Sequence, residues 1–178
     1  MVDDNLKIFY ELYDRRRSVR EFSDRPVEPE KMERLLRVLG RAQSAANRQP
    51  WHFIVVDKEA GVREGLNTVF TKDGFKKAPV VIVACARPKE AWTRKSDGVN
   101  YAWVDVSIAV TEMIGAATAE GIGTCWIAAI DPRRVKEILA IPEDTDVVGI
   151  IALGYPETEL KRVEKPRKPL EEIVNYGK

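Results

Sequence analysis

A single histidine, His52, and two cysteines, Cys85 and Cys125, are all that this 178-residue sequence holds of the side chains that most often carry nucleophilic or metal chemistry. One histidine leaves a histidine-based zinc site or a Ser-His-Asp triad resting on His52 alone, and no metal site is expected. Two cysteines, both inside apolar stretches, cannot build a disulfide framework and point to a reducing, cytoplasmic home. No Gly-x-Ser-x-Gly elbow, Cys-x-x-Cys pair, His-Glu-x-x-His helix or Walker A loop occurs. The nearest approach to a dinucleotide fingerprint is Gly121-Ile122-Gly123-Thr124-Cys125-Trp126. It puts Trp where the third glycine belongs and precedes a strand instead of following one. No apolar run reaches the roughly 18 residues that cross a bilayer. The longest candidate, Ala102 to Ala119, carries Asp105 and Glu112 and reads as a buried helix. Met1-Val2-Asp3-Asp4-Asn5 lacks the basic-then-apolar plan of a secretion signal. Charge of either sign is also not in excess: 29 Lys+Arg against 28 Asp+Glu argue against bulk attraction to nucleic acid or acidic membranes. Amides are scarce, two Gln and five Asn beside 32% charged residues, a trade seen in thermophilic proteins. An enzyme built from this inventory would leave the hard chemistry to a bound cofactor.

What is present suffices for one ordinary domain, since 44% of the residues are apolar and a chain of this length buries a true core. Leu6, Phe9, Leu12 and Tyr13 predict an opening amphipathic helix over residues 4–16, and Met32, Leu35, Leu36 and Leu39 a second one after Pro29. Residues 43–50 are a loop by composition. Buried strands are expected over 51–56, 79–86, 123–130 and 146–154. Residues 59–70 are weakly helical, and 88–98 form a polar loop holding Trp92. A helix apolar on nearly every face runs from Val99 to Glu120, which asks for a central position or a second subunit to cover it. Asp131-Pro132 reads as a helix cap and first turn, and a short helix or strand lies near Ile173. The sum is an α+β chain, with helices on both faces of a sheet of four to five strands.

Three clusters are candidates for holding an anionic, heterocyclic ligand. Arg15-Arg16-Arg17-Ser18-Val19-Arg20 places four guanidinium groups and a hydroxyl within six residues, and guanidinium donors match phosphate oxygens in pairs. The same run also reads as a solvated basic patch. Gln43-Ser44-Ala45-Ala46-Asn47-Arg48-Gln49-Pro50-Trp51 sets amides, which read the edges of a heterocycle, among small residues that let a ring approach. It reads equally as a turn into the sheet. Lys165-Pro166-Arg167 is a second cationic pair, or an exposed tail.

In series, Arg16-Arg17-Ser18-Val19-Arg20-Glu21-Phe22, Ser44 to Phe53, Gly121 to Ile127, and Gly154-Tyr155-Pro156 with Lys165-Pro166-Arg167 resemble the nitroreductase family of FMN-dependent oxidoreductases. The resemblance covers nearly the whole chain in the right order. It implies a single FMN-binding domain over 1–178 with a three-layer, mostly antiparallel fold. It also implies a homodimer with FMN at the subunit interface. Arg16, Arg17 and Ser18 would hold the FMN phosphate and ribityl chain, Arg20 would lie near the pyrimidine part of the ring, and Asn67 would face the pyrimidine edge. Asn47 and the backbone of Ala45 would come from the other subunit. Ala128 and Ala129 would supply backbone near flavin N5, and Lys165 with Arg167 would close on the phosphate. The protein itself would offer no catalytic side chain. Hydride would pass from NADH or NADPH through the flavin to an electron-poor acceptor, such as a nitroaromatic or quinone, by ping-pong kinetics, with Trp92 and Tyr101 stacking on that substrate. Family relatives also dehalogenate iodinated tyrosine, dismantle flavin or oxidise peptide heterocycles. A flavin-binding module without catalysis is the alternative from another class.

Overall fold

In a computed structural model that describes residues 4–159 and 165–177, the four apolar segments become one sheet. The strands are β1 (Trp51–Asp57), β2 (Val80–Ala86), β3 (Gly123–Ile127) and β4 (Asp146–Gly154), ordered β1-β2-β4-β3 with every pairing antiparallel. Period-2 geometry sends alternate residues to opposite faces. Val80, Ile82, Ala84 and Ala86 of β2 enter one core, while Val81, Val83 and Cys85 enter the other. Because helices cover both faces, β2 is buried throughout and reads as a continuous apolar run.

The first core is closed by α2 (Pro29–Arg41) and α5 (Ala102–Ala119). Helix α5 is the central one: Val106, Ala109, Val110, Met113 and Ala117 lie buried against the sheet and α2. The second core is closed by α3 (Arg63–Asn67), α4 (Asp73–Lys77) and α6 (Pro132–Leu139), with Phe22 and Phe70 wedged among them. Asp131 caps α6 as its sequence foretells, its Oδ1 accepting the Arg133 N–H at 3.0 Å. Helix α1 (Asp4–Arg15) touches α5 but buries no residue, and α7 (Leu170–Ile173) is likewise exposed.

Boundaries moved where a local hydrogen bond intervened. The long helix begins at Ala102, not Val99, because the Asn100 side-chain oxygen accepts the Ala102 N–H at 3.0 Å and Asn100 stays outside the helix. β3 ends at Ile127, its last partner on β4 being Ile150, and a turn closes from Ile130 N–H to Ala128. The weak pattern over 59–70 shrinks to α3. Helix α4 was not anticipated, and five residues are too few for periodicity to declare a helix.

Tyr155, just beyond β4, fastens the segment before α2. Its hydroxyl donates to Glu28 at 2.6 Å and accepts from Lys31 at 2.9 Å, and the Arg25 guanidinium lies 3.9 Å from its ring centre. The Tyr155 hydroxyl, then Glu28's own backbone and Arg25, carry the Glu28 carboxyl from an ordinary 4.5 down to about 2. A depressed folded-state pKa stabilises the fold above 4.5, and that contribution drains away as pH falls toward 2. Tyr155→Phe should therefore lower the urea midpoint at pH 6, with the gap to wild type narrowing steadily from pH 4.5 to about 2. A gap independent of pH would show that Tyr155 does not act through Glu28.

Candidate functional site

Beyond α1 the chain runs extended along the outer edge of β3. Ser18 bridges to Thr124, the Val19 N–H donates to the Thr124 carbonyl at 2.9 Å, and Phe22 bridges to Pro156. Val19 and Phe22 are the buried anchors. Alternation along an extended backbone then turns Ser18 and Arg20 away from the core, and both are exposed. The approach is close enough to need glycine on the other side: a Cβ on Gly123 would stand 2.7 Å from Val19 Cγ2.

The tail returns to this segment. Lys165 Nζ donates to the carbonyl of Arg16, a contact between residues far apart in the chain. Desolvation first, then the charges of Arg16, Arg17 and Arg167, hold the Lys165 ammonium below its ordinary pKa, with Asp14 acting against them. Like charges crowded this way favour a ligand that brings several anionic oxygens. Arg16 and Arg17 also line a cleft of about 550 Å³ with Glu11, Thr118, Gly121 and Gly123. The structure thus brings Arg16, Arg17, Lys165 and Arg167 to one place.

Further along the same strand segment, α4 presses on Arg20. A Cβ on Gly74 would lie 2.0 Å from the Arg20 carbonyl oxygen, so only glycine permits the contact. Arg20 and Lys72 both bear on the buried Cys125 thiol, lowering a pKa that burial raises. Asn67, at the end of α3, is half-buried, and its side-chain oxygen accepts from Arg63 Nε at 3.0 Å. Ala128 and Ala129 are exposed just past β3.

The amide loop lies elsewhere. Ala46, Asn47 and Gln49 all adopt left-handed backbone, with φ of 50°, 54° and 51°, at a cost of about 1 kcal/mol or more each for residues with a Cβ. Gln49 N–H donates to Ser44 Oγ at 3.0 Å, and the Ala45 N–H donates to Asp105 Oδ1 at 2.9 Å. Asp105 is 1% exposed, and its Oδ2 has no partner among the described residues. The Ala45 N–H is thus engaged inside its own chain. Asp105, which holds the loop, lies in the first turns of α5, and Thr118, which shares a cleft with Arg16, lies in its last, roughly 20 Å along at the helical rise. Within one chain Asn47 and Arg16 do not meet.

The nitroreductase family profile matches residues 13–72 and 63–155. An Archaeoglobus fulgidus protein provisionally assigned as an NADH dehydrogenase/NAD(P)H nitroreductase is 36% identical over 165 residues, spanning 89% of this chain and 88% of that one. The chain belongs to the nitroreductase family. A nitroreductase family protein from Clostridium difficile superposes with a TM-score of 0.85 at 33% identity, covering 93% of this chain and 96% of that one. A Desulfovibrio desulfuricans protein solved in complex with FMN shares the fold with a TM-score of 0.77 at 23% identity, over 93% and 94% of the two chains. Relatives diverge in chemistry: a 5,6-dimethylbenzimidazole synthase from Rhodospirillum rubrum is 27% identical over 177 residues, 83% of this chain and 82% of that one.

Two residues of this region carry no signal in the sequence. Lys72 belongs to no motif and sits in a polar stretch, so only the fold reveals that it acts with Arg20 on the Cys125 thiol. Arg63 looks like an ordinary helical charge, yet it is 2% exposed. Trp92 and Tyr101 pack edge to face with ring centres 5.0 Å apart, and Arg94 donates to the Tyr101 hydroxyl at 3.0 Å. Their rings are already partnered by each other. His52, read from sequence as a structural neighbour of Trp51, is exposed on edge strand β1.

Gly74→Ala should push α4 off the Arg20 segment and cost about 1–3 kcal/mol in urea unfolding, as overpacking does. Gly40→Ala, in open space within α2, should instead gain up to about 1 kcal/mol from helix propensity. Equal effects of one sign would refute the close approach at Gly74.

Proposed function

We propose that two copies of this chain form an FMN-dependent oxidoreductase that moves hydride from NADH or NADPH to an electron-poor acceptor such as a nitroaromatic or quinone. The donor set fits the cofactor. A crowded group of four cations, partly desolvated at Lys165, suits a phosphate. Ser18 and Arg20, exposed on one side of an extended segment, with Lys72 acting on the same Cys125 thiol as Arg20 and Asn67 tied through Arg63 to α4, suit the sugar chain and the polar edge of a flavin. Exposed backbone at Ala128 and Ala129 suits the ring's N5 side. When bound, FMN would supply two-electron redox chemistry. The chain's part is to neutralise the phosphate, to place fixed positive charge by the pyrimidine, where reduction adds electron density, and to hold the ring against solvent. Arg20 suits that electrostatic task because guanidinium keeps its proton at any working pH.

The separation of Asn47 from Arg16 by most of the length of α5 is the observation that carries the dimer. A loop held in left-handed strain and pinned by a buried carboxylate serves nothing in its own chain's cationic site. It suits the site of a second copy. The apolar surface left uncovered agrees: Ile8, Phe9, Tyr10 and Tyr13 of α1 are each more than half exposed, as are Leu170, Ile173 and Tyr176 of the tail. Burying such faces in a partner is worth about 25 cal/mol per Å². We read residues 1–178 as one domain per subunit. The thiols of Cys85, pushed up to about 11 by burial, and of Cys125 are free and buried, as suits a reducing cytoplasm.

Purified protein should carry one FMN per chain. Arg16→Ala should weaken FMN by about 1.5–3 kcal/mol, the range for a hydrogen bond to a charged group, and Asn47→Ala should weaken it without unfolding the protein. A heterodimer purified from co-expressed Arg16→Ala and Asn47→Ala chains decides the geometry. One of its two sites draws Arg16 and Asn47 from the unaltered positions of different chains and should bind FMN as wild type does. The absence of any tight site would mean that both residues act within one chain.

A further inference from the structure

Among the described residues, Arg63 heads the largest fully buried side chains, and it carries a charge. Its Nε donates to Asn67 Oδ1 at 3.0 Å, and its Nη2 donates to the carbonyls of Ala78 at 2.8 Å, Phe75 at 3.3 Å and Lys76 at 3.4 Å. Its Nη1 is buried with no partner among the described residues. Burial lowers the guanidinium pKa, and the charge of Asp57 works the other way. Leaving a donor of a buried cation unpaired costs free energy. An apolar side chain of similar volume would avoid that cost but leave the carbonyls of Phe75, Lys76 and Ala78 without this donor.

What an apolar residue cannot do is orient Asn67. A guanidinium has donors and no acceptor, so the atom of Asn67 that faces Arg63 has to be its oxygen. The usual ambiguity of amide orientation is removed by chemistry. The Asn67 nitrogen, with both hydrogens, is left on the other side of the amide, and no protein group accepts from it among the described residues. The same guanidinium grips the last carbonyls of α4, and α4 bears on Arg20 through Gly74. Arg63 thereby couples Asn67 to the element that flanks Arg20 and Lys72.

We infer that Arg63 is a positioning residue that fixes Asn67 as a hydrogen-bond donor, so that Asn67 addresses a carbonyl oxygen of the cofactor's pyrimidine edge and not its ring N–H. This rests on the FMN reading above. A donor directed at a ring carbonyl is worth more once two-electron reduction makes that oxygen richer in charge, so Arg63, acting through Asn67, raises the flavin midpoint potential.

The test is a double-mutant cycle on full-length protein, reading FMN Kd, midpoint potential and apo-protein unfolding for Arg63→Gln, Asn67→Ala and the double variant. Asn67→Asp is added as a probe of polarity, since it keeps an acceptor for Arg63 but offers only oxygens to the ring. Asn67→Asp should bind FMN at least tenfold more weakly with an unfolding midpoint no lower than wild type. Arg63→Gln should weaken FMN and make the potential more negative when Asn67 is present, and should change neither in the Asn67→Ala background, even though it lowers stability in both. Equal effects of Arg63→Gln in the two backgrounds would overturn the inference in favour of a structural role. So would undiminished binding by Asn67→Asp, which remains informative should Arg63→Gln fail to fold. If wild type takes up no FMN, the cofactor reading itself falls and this inference with it, an outcome distinct from a wild type that binds while the variants show no coupling.

Discussion

The length of one helix governs how this protein builds a site. Helix α5 runs along the first core, with the Asn47 loop tied to its beginning through Asp105 and the Arg16 cluster beside its end. A rigid rod of this kind cannot bend to bring the two together. Its many small and apolar residues make it a central strut that the sheet and α2 hold in place. The loop and the cationic cluster are thus tied to opposite ends of the same strut. The remaining features follow: a loop kept in strain with no local use, an outer face of α1 that buries nothing, and a tail that folds back onto the cationic end.

Two kinds of restraint keep the separated halves in shape. At the loop, a buried carboxylate takes the Ala45 N–H and the Ser44 hydroxyl takes that of Gln49, so three left-handed residues persist where an unrestrained chain would relax. At the cationic end, the restraint is the tail lysine on the Arg16 carbonyl together with bridges from the Ser18 to Phe22 segment to Thr124 and Pro156. Repulsion among Lys165, Arg16, Arg17 and Arg167 opposes the second arrangement. An anion placed among them would relieve that repulsion.

Much of this was legible before any coordinates. The strands showed as apolar runs because helices cover both faces, and Asp131-Pro132 marked the start of α6 by cap chemistry alone. The cationic segments were visible as residue types, but their convergence was not, since 149 positions separate Arg16 from Lys165 and no local rule spans that distance. Lys72 and Arg63 were invisible for a different reason. Each is a common charge in a polar stretch, and what makes it matter is burial or a neighbour brought in by α4, a helix too short to show a period. The Ala45 N–H is a structural fixture, held by a carboxylate that the sequence displayed only as an interruption in an apolar helix.

The poverty of reactive side chains and the wealth of buried or crowded cations are two sides of one strategy. A protein that does its own acid–base or nucleophilic chemistry tunes a few groups toward neutral pH; here the groups best placed are guanidinium and ammonium, which hold charge and donate hydrogen bonds without exchanging protons at working pH. Such groups serve a ligand whose charge changes during its reaction, because fixed donors favour the more electron-rich form and set how readily it is reached. Arg63 extends the logic by one step. It touches no ligand position itself, but by having nothing to accept with, it decides which end of Asn67 faces outward. Specificity for one edge of a heterocycle can then rest on the donor inventory of a residue buried behind the one that makes the contact.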